Sequence, residues 1–468
     1  MTPHPDAIAD CVLSAFAQLP EKRKPRPRSD GSREWVPMSG IVLANGNHPA
    51  SGTRLVACAY RTAKMAGSHA SPWAQGSPLP TTSGNALGVV HGFVYHGVGR
   101  PATSADESLR TGMKCLPHNK LSAANGNILH DWHAEVVAVR TFNRFLLDEC
   151  LLISTPPFAH SSFIRQRSTS ERSEHEPQPF TIRENVQIHM YCSEAPCGDA
   201  SMELTMDAQE DATPWTSAPP TISAASDGNG VPAEGAGALR GRSNFSLLGA
   251  VRCKPSRPDA PPTLSKSCTD KLTMKQAVSL LSSVTSTLLS PTNAYIHSLI
   301  LPESQYVPAA CERAFSRTGR LKSLTDETIQ SWKGGYRWQP MTVRPTKREF
   351  LWSRRSVAVS DKAVASNLSA AWTPAWQETL IGGVLQGRKQ LDPRGASSIC
   401  RRRVWSLAVQ IAGLAGRPAV LEALTKSTYG DVKASALLTS RRTVKNDTQV
   451  QALGGWVQNT GDSSFPSS

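Results

Sequence analysis

Aromatic residues are scarce in this chain, at 6% of 468 positions, and hydrophobic residues of every kind reach only 39%. Length alone suggests about three domains. So lean a composition argues instead for one substantial core interrupted by segments unable to bury much apolar surface. Closely spaced cysteines are also missing: the ten present are scattered, which argues against a secreted disulfide framework. The N-terminal residues lack the basic start and apolar stretch of a secretory leader. No uncharged apolar run is long enough to cross a bilayer, and the best candidate, Leu407 to Leu424, is broken by Arg417 and Pro418. These absences point to a reducing compartment, cytoplasmic or nuclear, and nothing calls for a membrane or a protein partner. What the chain has in excess is positive charge, +14 net with a pI near 9.5. Such a balance favours a polyanionic partner, because clustered Lys and Arg release counterions on binding phosphates.

Residues 6–19 place Ile8, Val12, Leu13, Phe16 and Leu19 at helical spacing, and a basic, proline-broken run follows from Lys22 to Arg28. The stretch 1–34 therefore reads as an N-terminal helix and linker, 35–460 as the main domain, and 461–468 as a tail. Trp35 to Leu43 and Arg54 to Tyr60 read as strands. Residues 61–109, 154–179 and 207–240 are rich in small or polar residues without sustained periodicity, and read as disordered insertions. Between them, 128–147 carries a helical apolar pattern and Asn185 to Cys192 alternates as a strand. Leu272 to Leu289 reads as an amphipathic helix, and further helices open at Cys400 and Pro418. Alternating helices and strands make an α/β architecture, a mixed β-sheet flanked by helices with an extended helical C-terminal part.

One triplet and one later tetrapeptide concentrate the chemistry. His133-Ala134-Glu135 opens a helix, and Pro196-Cys197-Gly198-Asp199 follows a strand. A His-x-Glu and a later Pro-Cys are the two halves of a zinc-dependent base deaminase site, in which the glutamate moves protons without binding the metal. The usual second cysteine, three residues after the first, is absent, because that position is Ala200. A catalytic zinc wants three protein ligands and one open position, so another cysteine has to serve. Cys192 points into the core from its strand, and Cys253 lies in a basic, proline-flanked stretch. Cys268 opens a helix between small polar residues and is the choice.

The set Trp132-His133-Ala134-Glu135, Pro196-Cys197-Gly198-Asp199-Ala200 and Ser267-Cys268-Thr269-Asp270-Lys271 resembles the deaminase domain of the RNA adenosine deaminases. The similarity runs from about Trp35 to Trp456 apart from the insertions. It implies a cytidine-deaminase-like core, zinc held by His133, Cys197 and Cys268, and Glu135 as the proton shuttle. The implied reaction is hydrolysis of adenosine to inosine in RNA, with the base unstacked to expose C6. Lys114 matches a lysine near the substrate pocket. The resemblance further implies buried inositol hexakisphosphate, contacted by Arg140, Lys271, Arg401, Tyr429, Lys433 and Trp456, with Lys275 contributing. Val139, Met274 and His130 depart from the family pattern at neighbouring positions. In similar proteins the strand ending near Ala57-Cys58-Ala59 runs almost directly into Thr-Gly-x-Lys-Cys, whereas here 60–110 intervene.

No segment has room for a separate double-stranded-RNA-binding domain, which favours the tRNA-specific branch of the family. That branch implies the adenosine immediately 3′ of the anticodon in an alanine tRNA, presented by the anticodon stem-loop. Lys22 to Arg28, Arg441, Arg442 and Lys445 are candidate backbone contacts. The rival readings are a duplex-RNA editor, a free-nucleoside or cytosine deaminase, and an RNA-binding relative that has lost catalysis. Retention of Glu135 speaks against the last.

Overall fold

The structure is a computed structural model and describes residues 2–20, 24, 33–45, 89–93, 115–209, 221–222, 238–242, 244–254, 261–358, 363–366 and 368–467. Its centre is an eight-stranded mixed sheet. In chain order the strands are β1 (Met38–Asn45), β2 (Val89–Phe93), β3 (Val186–Cys192), β4 (Ile296–Pro302), β5 (Thr342–Thr346), β6 (Ser369–Trp372), β7 (Gln377–Ile381) and β8 (Val384–Leu385). The order across the sheet is β5-β4-β3-β1-β2-β6-β7-β8. The pairs β3–β4 and β4–β5 are parallel, and every other pair in the sheet is antiparallel.

Side chains alternate across a strand, and in β1 both faces are buried. Ile41 and Leu43 join a cluster with Phe142 and Leu146 of helix α2 (Ala134–Ser154), and Ile188 and Met190 of β3 point the same way. Met38 and Val42 face the opposite side, packing with Tyr191 of β3 and with Ile8, Val12 and Phe16. Those last three lie on α1 (Pro5–Ala17), so the N-terminal helix expected as a separate extension closes one face of the sheet. Each such buried Leu, Ile or Phe contributes about 2 kcal/mol, which is why strands in the centre read as nearly continuous apolar runs. On the α2 side lie α3 (Cys268–Val278), α4 (Pro308–Phe315), α5 (Arg401–Leu414), α6 (Tyr429–Ala434) and α7 (Thr439–Gln451).

The structure differs from the sequence expectation in several places. Residues 154–179, expected to be disordered, form a folded flap whose Ile164–Gln166 strand pairs antiparallel with Phe180–Ile182. Its order comes from polar satisfaction, which leaves no hydrophobic period. Buried Arg167 donates to the carbonyl oxygens of Glu176 (2.9 Å), Gln178 (3.2 Å) and Glu171. The single helix expected from Leu272 to Leu289 is broken. It ends at Ser279, whose φ of 62° is left-handed, and a short helix resumes at Thr285–Leu288. The 461–468 tail is part of the core: Phe465 is buried, stacks on Tyr429 with ring centroids 5.0 Å apart, and meets Trp405 edge-on. Within 61–109, β2 lies in the sheet, and the rest of that stretch lies outside the described residues, as do Arg54 to Tyr60. Most of 207–240 lies outside them too, with short strands at Thr221–Ile222 and Ala238–Arg240.

Candidate metal centre and an adjoining cationic cavity

Three chain segments converge behind the sheet, each ending in a potential metal ligand. His133 is the N-cap of α2, and its backbone N–H donates to Asp131 Oδ1 at 3.0 Å. Beyond β3 the chain turns through Pro196-Cys197 and reaches Gly198 at φ 105°, in the region only glycine occupies freely. A Cβ there would also collide with Ser267 Oγ, so the glycine lets the two cysteine loops touch. Ser267 caps α3 by accepting the N–H of Asp270, which fixes Cys268 at the helix start. Thr269, fully buried, ties the loops together: its hydroxyl donates to Pro196 O at 2.8 Å and accepts from Ala200 N at 3.2 Å.

The ligand atoms form a compact triangle. Cys197 Sγ lies 3.8 Å and Cys268 Sγ 3.7 Å from His133 Nδ1, and all three atoms fall within 4.8 Å of one another. Zinc bonds of 2.3 Å to sulfur and 2.0–2.1 Å to nitrogen, at tetrahedral angles, put such atoms about 3.6 Å apart. The donor set therefore fits zinc in spacing and in chemistry. Cys192 and Cys253 are buried and are in neither group of candidate ligands. A second grouping, Cys115, Asp131 and His133, also comes within reach. Its groups are otherwise engaged. Asp131 binds the ammonium groups of Lys254 (2.8 Å) and Lys271, and burial together with Asp131 pushes the Cys115 thiol up to about 12.

Within the first set the electrostatics favour thiolate at Cys197, while burial and the neighbouring Cys197 push the Cys268 thiol up. A hydrogen bond from Cys268, with Lys254 and His133 close by, holds the Cys197 thiol well below its usual range. The N–H of Cys268 donates to Cys197 Sγ at 3.3 Å, and Lys254 Nζ donates to Cys268 Sγ at 3.2 Å. Lys254, buried and bridging Asp131 to a candidate ligand, is a site residue the sequence did not reveal. It sits in a proline-flanked stretch with no motif. Glu135 occupies the first turn of α2, is buried, and shares a cavity wall with Cys268.

That wall belongs to a cavity of about 340 Å³ between α2, α3, α5, α6 and α7. All seven residues expected to meet a polyanion line it: Arg140, Lys271 and Lys275, Arg401 and Tyr429, Lys433 and Trp456. Arg441 and Lys445 line it as well, a correction to their expected role on the RNA surface. They face inward because α7 turns that edge toward α3, where Arg441 donates to Val278 O and Leu281 O at 2.7 Å each. Arg442 stays outside, bonded to the carbonyls of Lys433 and Ser435. Lys114 and the basic run lie outside the described residues, except Lys24, which donates to Ala17 O.

The cavity carries more positive charge than its surroundings neutralise. Lys271 has Asp131, and Arg401 has Asp462 at 3.2 Å. Among the described residues no ion pair joins a carboxylate to Arg140, Lys275, Lys433, Arg441 or Lys445. Burial, then Arg441, Arg140 and Lys445, holds the Lys275 ammonium well below its usual range. Burial and three neighbouring cations bring Lys433 down to about 8, and Arg140 and Lys445 are lowered for the same reasons. Uncompensated buried cations are costly, so this donor set fits a polyanion. Lys433 and Lys445 are desolvated on the cavity side yet keep part of their surface in solvent, which opens the cavity there.

A histidine and two cysteines around one point, with a glutamate beside them on a helix against a mixed sheet, define a base deaminase site of the metal-dependent class. Residues 108–460 match the adenosine-deaminase (editase) domain. The chain belongs to that family and is a deaminase. It is 31% identical over 409 residues to tRNA-specific adenosine deaminase 1 of Schizosaccharomyces pombe, covering 86% of this chain and 85% of that protein. It is 36% identical over 182 residues to the Saccharomyces cerevisiae protein of the same name, covering 37% and 40%. It is 26% identical over 213 residues to double-stranded RNA-specific editase Adar of Drosophila melanogaster, covering 44% and 29%.

Proposed function

We propose that this protein converts adenosine to inosine in tRNA, at the adenosine immediately 3′ of the anticodon in an alanine tRNA. The triangle of His133, Cys197 and Cys268 with Glu135 at its side carries the reading. Likeness to the Schizosaccharomyces pombe tRNA-specific adenosine deaminase 1 over 86% of the chain supports tRNA as the substrate class. His133, Cys197 and Cys268 hold zinc, which when bound supplies the Lewis acidity that brings the pKa of water toward neutrality. Glu135 takes a proton from the attacking water and delivers protons to N1 of the base and to the departing amine. One water is consumed and one ammonia is released per inosine formed. An anticodon loop offers a base already partly unstacked. Lys114 is assigned to the substrate on its match to the family's sequence pattern alone.

Inositol hexakisphosphate occupies the cationic cavity, held by Arg140, Lys271, Lys275, Arg401, Tyr429, Lys433 and Trp456 with Arg441 and Lys445. Its phosphates neutralise cations that otherwise face one another.

The test is incubation of purified protein with an anticodon stem-loop of alanine tRNA, a long RNA duplex and free adenosine, with inosine read by mass spectrometry. Product from the stem-loop alone is expected. Glu135→Ala should abolish it, leaving one zinc per chain. Inosine made by that variant refutes the shuttle, and activity on the duplex or on free adenosine alone refutes the tRNA assignment.

A further inference from the structure

The two cysteine loops share a feature that neither motif announces. Each cysteine is followed two residues later by a buried aspartate, Asp199 after Cys197 and Asp270 after Cys268. Both carboxylates end on arginines from one short stretch of chain. Arg313, near the end of α4, donates through Nε to Asp199 Oδ2 at 3.1 Å and through Nη2 to the Asp199 carbonyl at 2.9 Å. Its guanidinium also grips Glu203, on the short helix Met202–Met206 that follows the loop, at 2.6 and 2.9 Å. Arg320, whose side chain is almost fully buried, places Nη2 2.7 Å from Asp270 Oδ1. The other oxygen of Asp270 takes the Ser267 hydroxyl at 2.5 Å and the Arg252 N–H at 2.9 Å.

The two arginines are themselves joined. The Arg320 N–H donates to the Arg313 carbonyl at 2.8 Å, closing the turn that follows α4. Gly319 makes the closure possible, since a Cβ there would overlap the carbonyl oxygens of Arg313 and Glu312. A single rigid bracket thus reaches both loops that present sulfur. We propose that residues 313–320 are the positioning element for the metal site: Arg313 acting through Asp199 and Arg320 through Asp270 set the separation of Cys197 and Cys268. The proposal rests on the assignment of zinc to His133, Cys197 and Cys268. Groups that orient metal ligands through hydrogen bonds commonly govern affinity by ten- to a hundredfold. Removing one partner of a buried ion pair also destabilises the fold, whatever the pair does for the metal. The cobalt spectrum and the zinc affinity of the folded protein therefore separate the positioning role from a merely structural one.

The experiment compares the full-length protein with Arg320→Met, Arg313→Met and Arg320→Lys. Zinc affinity is measured by chelator competition, cobalt(II) spectra report thiolate ligation and tetrahedral geometry, and urea unfolding of the metal-free proteins reports stability. One tight zinc in the unaltered protein is the check on the metal assignment itself, and its absence overturns that assignment rather than the bracket. Arg320→Met should weaken zinc binding at least tenfold and shift the cobalt bands, and Arg320→Lys should recover part of both. Arg313→Met, at a partly exposed side chain, should do the same to a smaller extent and serves if Arg320→Met does not fold. Zinc affinity within twofold of the unaltered protein, with unchanged cobalt spectra, overturns the proposal. So does a loss of metal-free stability without any change in the cobalt spectrum.

Discussion

Replacing Lys433 by methionine should stabilise the protein when no polyanion is present and destabilise it once inositol hexakisphosphate is added. Burial and the nearby Arg401, Lys445 and Arg441 lower the Lys433 ammonium to about 8. From an ordinary lysine near 10.4, that drop corresponds to about 3 kcal/mol of unfavourable interaction at neutral pH. The side chain is open to solvent on one side, and screening cuts the figure to about 1–2 kcal/mol. A lysine whose pKa is lower in the folded state is a full penalty below about pH 8, where folded and unfolded chains both carry the proton. Between about pH 8 and 10 only the unfolded chain holds it, so stability rises with pH and the penalty fades. Buried thiols such as Cys150 and Cys192, raised by burial, act in the opposite direction above their ordinary range. They are common to both proteins and cancel in the difference. Urea unfolding of both proteins at pH 7 and pH 10, with and without inositol hexakisphosphate, measures it. Without polyanion, Lys433→Met should be more stable by about 1–2 kcal/mol at pH 7 and roughly equal at pH 10. A variant already less stable at pH 7 without polyanion, or a difference that ignores pH, refutes the account of uncompensated charge.

Two smaller substitutions probe the site from other directions. Gly198→Ala combines a left-handed φ with a collision against Ser267, and should cost about 2–4 kcal/mol in urea unfolding and lower the zinc content. Full zinc with unchanged stability contradicts the contact between the cysteine loops. Phe465→Ala removes a buried ring that stacks on Tyr429 and fills the space above Gly126. It should cost about 3 kcal/mol, and a change under about 0.5 kcal/mol, typical of an exposed site, refutes the docking of the tail.

Part of this candidate site is legible in the sequence because its candidate ligands sit in short local patterns at or just before helix starts. Cys268 was recognisable from Ser267 and Asp270, which form its cap, and the Asn185 to Cys192 alternation located the strand feeding Cys197. The residues that hold those patterns in place were not legible. Lys254, Arg313 and Arg320 reach the site only through tertiary folding, and an arginine at the end of an amphipathic helix has the same local signature as a solvated one. The inward placement of Arg441 and Lys445 is not legible for a related reason. On a polar helix, the edge turned toward a charged cavity and the edge turned toward water carry the same residue types. The 154–179 flap escaped notice because carbonyl groups gathered around Arg167, rather than apolar side chains, give it order.

Helix α3 places Cys268 at its first position and Lys271 and Lys275 one and two turns further along, on the side that lines the cavity. At about 100° of rotation per residue, these three share a face only while their spacing is kept. One residue inserted between Cys268 and Lys271 would turn the lysines a quarter of the way around the helix while leaving the sulfur in place. The segment therefore tolerates no change of length, whatever residue is added or lost. Among natural variants, single-codon insertions and deletions between 268 and 275 should be purged.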